Sequence, residues 1–294
     1  MQIVTPALVL REVKVGEADR ILLLLTPEQG LISASAKGSL RLKSRLFSGC
    51  GLFCYSEFTL YEGRTMYRVD EAQVKNTFFG LRESVEGMAL AMYLAELTAA
   101  LAPTGKEAEA LLRLLLNSLY LLSENKRPLS QIKAVFELRA ISEAGYLPQL
   151  LCCRDCGKYE GGPFYLDPEE GSLLCGDCAA KAGKTPNLDP ASLTALRHIA
   201  LVEDKRVFNF SLADASMQKL ARVTERYALC QLDKPLKSLD FLRRRRRQTQ
   251  ALCPAQKLKK PPKFEETKKN GPDLLKKSGT GQNHCPRRGN GGVQ

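Results

Sequence analysis

Residues 7–37 read ALVLREVKVGEADRILLLLTPEQGLISASAK, and this stretch decides the fold of the N-terminal part. Three short runs rich in apolar and β-branched residues, Ala7–Lys14, Arg20–Thr26 and Leu31–Lys37, are divided by Gly16-Glu17-Ala18-Asp19 and Pro27-Glu28-Gln29-Gly30. Gly, Pro and Asp favour the backbone conformations of tight turns, so the runs read as strands joined by hairpins. Two more follow, Leu52–Tyr61 and Thr65–Glu71, with Glu62-Gly63-Arg64 between them. Five strands within about 70 residues predict a small antiparallel barrel, because rolling the sheet up removes its exposed edges. An OB-type five-stranded barrel and an SH3-like one both fit the strand count.

Working outward, the hydrophobic period changes after residue 80. Val85–Ala102 places Leu90, Tyr93, Leu94, Leu97 and Leu101 at helical spacing. Pro103-Thr104-Gly105 ends it, and Glu107–Ser123 follows with Leu111, Leu112, Leu115, Leu119 and Leu122. Gln131–Ala144 carries Ile132, Val135, Phe136, Leu138 and Ile141, and Gly145 suits the position after a helix C-terminus. Pro190–Val202, capped by Asp189, and Asp214–Leu229 read as further helices. The expected class is therefore α+β: an N-terminal five-stranded barrel over 1–80, then an all-helical domain over 81–242 with a cysteine-bounded insert at 152–180. Residues 243–294 open with Arg243–Arg247 and hold few large apolar side chains, so they are expected to be a basic, disordered tail.

The insert carries the sharpest chemical signal. Cys153-Arg154-Asp155-Cys156 and Cys175-Gly176-Asp177-Cys178 are two C-x-x-C pairs at four-thiolate spacing. Each tight turn aims two sulfurs at one point, and two turns complete a tetrahedron suited to Zn2+. Four protein ligands leave no open position, so one structural zinc is expected rather than a catalytic one. Free thiols and a redox disulfide are the alternatives. Cys152 is a spare, since pairing it with Cys156 makes the poorer C-x3-C turn.

Charge has to be located before it is interpreted. The 294 residues contain 44 Lys+Arg and 32 Asp+Glu, a formal net charge of +12. Residues 243–294 hold fifteen Lys/Arg and three Asp/Glu, leaving 29 of each sign in 1–242. The bulk of the chain is thus electrically neutral. The longest uncharged run, Leu46–Ser56, is eleven residues, too short to span a bilayer, which takes about 20. The first residues lack the pattern of a secretory signal, so a cytosolic protein with reduced cysteines is expected. Two histidines, no G-x-x-x-x-G-K-[ST], no G-x-S-x-G and no H-E-x-x-H leave little for an acid–base or nucleotide enzyme, and no catalytic residue is assigned.

Within the neutral part, Lys37-Gly38-Ser39-Leu40-Arg41-Leu42-Lys43-Ser44-Arg45 has four cations and no anion and joins two expected strands. Arg41, Lys43 and Arg45 share one side if the segment is extended. Loops beside the open face of an OB barrel bind nucleic acid, so Lys37, Arg41, Lys43 and Arg45 are the candidate phosphate contacts. Phe47, Phe53, Tyr55, Phe58, Tyr61 and Tyr67 lie nearby, and most of them are expected in the core. The tail's cations favour phosphates without sequence preference, or belong to an extension with no role.

These parts together resemble the bacterial RecO family of DNA repair proteins over about 1–242. The resemblance is carried by Gly16-Glu17-Ala18-Asp19-Arg20, Thr26, Gly30, Ala36-Lys37-Gly38, Arg41 and Lys43-Ser44-Arg45. It continues through Tyr93-Leu94-Ala95-Glu96-Leu97, Phe136-Glu137-Leu138-Arg139, Gly145-Tyr146-Leu147-Pro148, the two C-x-x-C pairs and Lys237-Ser238-Leu239-Asp240-Phe241-Leu242. It implies an OB-fold domain, a helical domain and a zinc-binding region. It also implies binding to single- and double-stranded DNA, strand annealing, partnership with RecR and single-strand-binding protein (SSB), and help in loading RecA onto SSB-coated DNA. Ser39, Leu40 and Leu42 stand where that family often has further basic or proline residues, and the segment after Leu242 matches nothing in it. A zinc-containing protein–protein adaptor with incidental DNA contact is the competing reading.

Overall fold

The computed structural model describes residues 1–232 and 234–252. The five N-terminal strands are β1 (Gln2–Val15), β2 (Asp19–Thr26), β3 (Gly30–Ala36), β4 (Tyr55–Tyr61) and β5 (Tyr67–Asn76). They form one sheet in the order β1-β2-β3-β5-β4, and β4 pairs back onto β1 from Gln2↔Tyr61 to Leu8↔Tyr55. Each strand thus has two neighbours. The pairing is not antiparallel throughout: β3 and β5 run parallel and meet at two residue pairs, Ala34↔Tyr67 and Ser35↔Arg68.

Side-chain alternation explains the interior. Ala7, Val9, Leu22, Leu24, Ile32, Ala34, Phe58 and Leu60 point inward and form a small core of their own. The unbroken run Ile21–Leu25 departs from simple alternation because β2 is covered on both sides. Leu25, with Leu8 and Leu10 of β1, faces outward into the core of the helical part. Backbone hydrogen bonds reinforce this seam: Leu31 N–H donates to Pro103 O (2.9 Å), Gly105 N–H to Gln29 O (2.9 Å) and Ala108 N–H to Pro27 O (2.7 Å). Gly30 is required here twice over. Its φ is +63°, and a Cβ would sit 2.0 Å from the Pro103 carbonyl oxygen.

A 3-10 turn (Phe79–Glu83) leads into the helices α1 (Val85–Leu101), α2 (Glu109–Ser123) and α3 (Leu129–Glu143). Ser84 caps α1 by accepting from Gly87 N–H at 3.0 Å. The central helix is α3, where Gln131 through Leu138 are all buried, charged residues included. The cysteine-bounded insert follows as β6 (Gln149–Cys153), β7 (Phe164–Asp167), β8 (Ser172–Cys175) and the short helix α4 (Gly176–Lys181), with sheet order β6-β8-β7. α5 (Pro190–Leu201) begins with the expected cap: Asp189 accepts from Ser192 N–H at 2.8 Å, and Ser192 Oγ accepts from Asp189 N–H at 2.9 Å. His198 contacts the Arg206 carbonyl oxygen (3.1 Å) and the edge of Phe210, a structural setting.

After α6 (Asp214–Leu232) comes α7, which runs from Lys237 to Leu252. Here the expected fold boundary at Leu242 is corrected. Leu239 and Leu242 are buried, and the Glu96 carboxylate of α1 accepts from Lys237 N–H (3.2 Å) and Ser238 N–H (2.8 Å) at the open end of the helix. Arginine is a good helix former, so Arg243–Arg247 prolong a helix that packing has already nucleated. The compact unit spans Met1–Leu252 and holds 34 basic and 29 acidic residues, so it is not neutral. The remainder of the expected tail, 253–294, lies outside the described residues.

Candidate metal centre and nucleic-acid interface

Cys153 ends β6, and the Arg154–Asp155 turn brings Cys156 back beside it. Gly157 N–H donates to Cys153 O (2.9 Å), and the turn needs φ +71° at Gly157, which a glycine adopts freely. Cys175 ends β8, and Cys178 sits in the first turn of α4. The four Sγ atoms lie within 4.8 Å of one another, and Cys156 and Cys175 are 3.6 Å apart. A tetrahedral zinc–thiolate site with bonds of about 2.3 Å has sulfur–sulfur edges of about 3.8 Å, so this quartet is close to the size such a site demands. None of the four is in a disulfide. Cys152 is one residue earlier on the strand, faces the other side and stays outside the quartet.

The electrostatics of the four sulfurs favour a cation among them. Burial opposes a thiolate at Cys153, but the backbone N–H groups of Cys175, Cys156 and Asp155 outweigh it and bring its pKa to about 6. Cys178, crowded first by Cys156 and then by Cys175, is pushed up to about 12. Thiols this close cannot all ionise unless a cation shares the space, and a soft divalent metal ion is the group they can hold. The region is also firmly docked. Arg197 of α5 donates to Leu150 O (2.8 Å), Leu151 O (2.9 Å) and Tyr159 O (2.8 Å), and its guanidinium lies 4.1 Å from the Tyr159 ring centre.

The basic loop joins β3 to β4 across residues 37–54. It is a succession of turns, not an extended segment: Arg41 N–H donates to Gly38 O, Ser44 N–H to Arg41 O and Phe47 N–H to Ser44 O. The expected strand-like alternation of Arg41, Lys43 and Arg45 is therefore absent. The loop is nonetheless well anchored. Asp19 Oδ1 accepts from Gly38 N–H (2.7 Å), Leu40 N–H donates to Ala18 O (2.9 Å), and Ser39, Leu46 and Cys50 are buried. Turning the chain this way leaves Lys37, Arg41, Lys43 and Arg45 all exposed, with no ion pair among the described residues. Of the neighbouring aromatics, Phe53 and Phe58 are buried, Tyr55, Tyr61 and Tyr67 are half-buried, and Phe47 is exposed.

The structure gives two sets of charged residues a setting that the sequence pattern does not show. Arg244, Arg245 and Arg247 are exposed on a folded helix, whereas Arg243 turns inward and pairs with Glu225 at 2.6 Å. Beneath them lies a buried polar network. Lys133 Nζ is 2.5 Å from Glu137 Oε1 and 2.7 Å from Glu225 Oε2, while Tyr93 and Thr224 donate to Glu137 at 2.6 and 2.8 Å. It joins α1, α3, α6 and α7. No periodicity announces it, because a lysine and a glutamate on a helix normally mark the solvent side.

Comparison with known proteins adds a family. The model described as "Recombination protein O N terminal" matches residues 1–78, and that described as "Recombination protein O C terminal" matches residues 82–240. The chain is 34% identical over 239 residues to the DNA repair protein RecO of Acetivibrio thermocellus, covering 81% of this chain and 95% of that one. It is 30% identical over 234 residues to the DNA repair protein RecO of Alkaliphilus metalliredigens, covering 80% and 95%. With the protein of that name from Dehalococcoides mccartyi (strain ATCC BAA-2266) it shares 32% identity over 247 residues, 82% of this chain and 96% of that one.

Proposed function

The chain belongs to the RecO family of DNA repair proteins, and from that premise we propose that it is a non-enzymatic, DNA-binding recombination mediator. In this reading the N-terminal sheet is an OB-type barrel that carries the interface, and Lys37, Arg41, Lys43 and Arg45 contact DNA phosphates. Cys153, Cys156, Cys175 and Cys178 hold one structural Zn2+ that fixes the insert. Strand annealing needs no acid or base. It needs cations that neutralise the phosphates of two strands, and partners that clear and reload the DNA. RecR, single-strand-binding protein and, functionally, RecA are the proposed partners, in the cytoplasm. No helix among the described residues is long and apolar enough to cross a membrane.

The observation that carries this reading is the anchored loop with four exposed cations that have no ion pair among the described residues. Changing all four to alanine should weaken single-strand binding at least tenfold. It should also flatten the log–log salt dependence by about 3, roughly 0.7 for each lost phosphate contact. Fluorescence anisotropy across a salt series measures both, best beside a chain truncated after Leu252, since a cut at Leu242 removes Arg243 from its pair with Glu225. Unchanged affinity and slope in the truncated chain would refute the assignment. The adaptor reading draws on Leu147 and Leu151, two exposed leucines that precede the first cysteine pair in the chain. Absence of DNA binding at low salt would favour it.

A further inference from the structure

A second concave surface adjoins the basic loop. Between the far half of that loop and the 3-10 turn Phe79–Glu83 lies a cleft of about 610 Å3, lined by Phe47, Phe79, Arg20, Arg82, Glu12 and Met88 among others. Two of its aromatic rings face water, Phe79 at 72% exposure and Phe47 at 39%. A single exposed phenylalanine needs no explanation, but two lining one cleft do. Each ring also lies beside a guanidinium: Arg82 is 5.6 Å from the Phe79 ring centre and Arg20 is 5.7 Å from that of Phe47.

Charge distinguishes this cleft from an ordinary apolar groove. Glu12 is the one carboxylate among its described lining residues, and it is already matched by Arg20 at 3.1 Å. Arg82 is exposed and has no ion pair among the described residues. The rim therefore continues the positive surface of Lys37, Arg41, Lys43 and Arg45. The floor holds a further oddity. Phe53 and Phe78, both buried, have φ of 61° and 44°, a left-handed backbone that bulky residues rarely adopt. Strain of this kind is retained where the surrounding structure fixes a surface for use.

We infer that this cleft takes unstacked bases of single-stranded DNA on the rings of Phe47 and Phe79, with Arg82 and the basic loop on the adjoining phosphates. Flat aromatic faces beside cations are what successive bases of a single strand stack upon, and the contact tolerates any sequence. Paired bases inside a duplex are not available to it. The inference rests on the proposed DNA-binding role and adds the source of a preference for single strands.

The chain contains no tryptophan, which gives a clean probe. In the full-length chain, Phe79→Trp places the sole indole at the cleft, and labelled oligothymidylate should quench its emission saturably while a duplex of equal length should not. Phe79→Ala and Phe47→Ala should each weaken oligothymidylate binding by about five- to a hundredfold, the range of one base–aromatic stack, and leave duplex binding within about twofold. If both alanine variants bind oligothymidylate like the parent while the fourfold loop variant loses it, the cleft assignment is wrong and the loop assignment stands. Equal losses for single strand and duplex also overturn it. If the unaltered chain binds neither DNA, the underlying functional reading fails and takes this inference with it.

Discussion

Replacing Lys133 with methionine should destabilise the fold by about 3–5 kcal/mol, the usual cost of leaving a buried charge without its partner. Lys133 is 1% exposed and serves two carboxylates, so its loss leaves the buried Glu137 carboxylate with only the neutral donors Tyr93 and Thr224, and leaves Glu225 with Arg243 as its cation. The pH dependence follows from directions already set. Burial lifts the pKa of Glu137 above the usual carboxylate value even with Lys133 present. Without the lysine it rises further, and the folded state then binds a proton that the unfolded state releases. Stability is fully present below the unfolded pKa and is lost as pH rises through the folded one. Lys133→Met should therefore do more harm near about pH 8 than near about pH 5, as urea unfolding at the two pH values would measure. Burial also works against the Glu225 carboxylate, but Lys133 and Arg243 outweigh it and hold its pKa low. Changing Lys133 and Glu137 together to Met and Gln should recover much of the loss, because the uncompensated charge then disappears. Equal stability of parent and Lys133→Met at both pH values would contradict the network as described.

The second large effect concerns the cysteine quartet. Metal analysis of the purified chain should return about one zinc, and Cys175→Ala should abolish it, whereas Cys152→Ser should leave the content unchanged. Cys175 is 1% exposed at the end of β8, so its loss also opens the strand that β6 and β7 both pair with. In small zinc domains the metal supplies about 10–16 kcal/mol of apparent binding free energy, essentially all of the folding energy. Here Arg197 and the neighbouring helices carry part of the load, so the expected result is local opening. Protease cleavage should appear within residues 152–181 while α1 and α3 stay protected. A metal-free chain that resists protease equally well would rule out a structural zinc.

Much of this was legible from the residues. Turn residues mark strand ends sharply because few other residues tolerate those conformations, so Gly16–Asp19 and Pro27–Gly30 divided β1, β2 and β3 correctly. Two C-x-x-C pairs predicted a quartet because local turn geometry already sets each pair, and the fold has only to bring two turns together. What stayed hidden depends on neighbours distant in the chain. Arg243–Arg247 look like a solvated tail by composition, yet buried Leu239 and Leu242 and the Glu96 carboxylate start a helix beneath them. Lys133 and Glu137 look like surface residues until α6 and α7 close over them. Phe79 and Arg82 carry no sequence signal, since the cleft they line is completed by a loop that ends at Cys54, well before them in the chain. Charge singles out the loop in the sequence but not its conformation, because Asp19 and the buried Ser39 wind it into turns.

The seam between sheet and helices ties the two matched regions of this chain together. The two matched regions divide between residues 78 and 82, as if each were a module that could be inherited separately. Leu8, Leu10 and Leu25 nevertheless share one core with the helices, and Gly30 lies against the Pro103 carbonyl with no room for a methyl group. A hybrid chain made by splicing relatives at that boundary would bring together surfaces that had never been selected against each other. At Gly30 and along Leu8, Leu10 and Leu25 a change on one side of the junction meets a packed partner on the other, so a spliced hybrid is expected to be stable only where these contacts are matched.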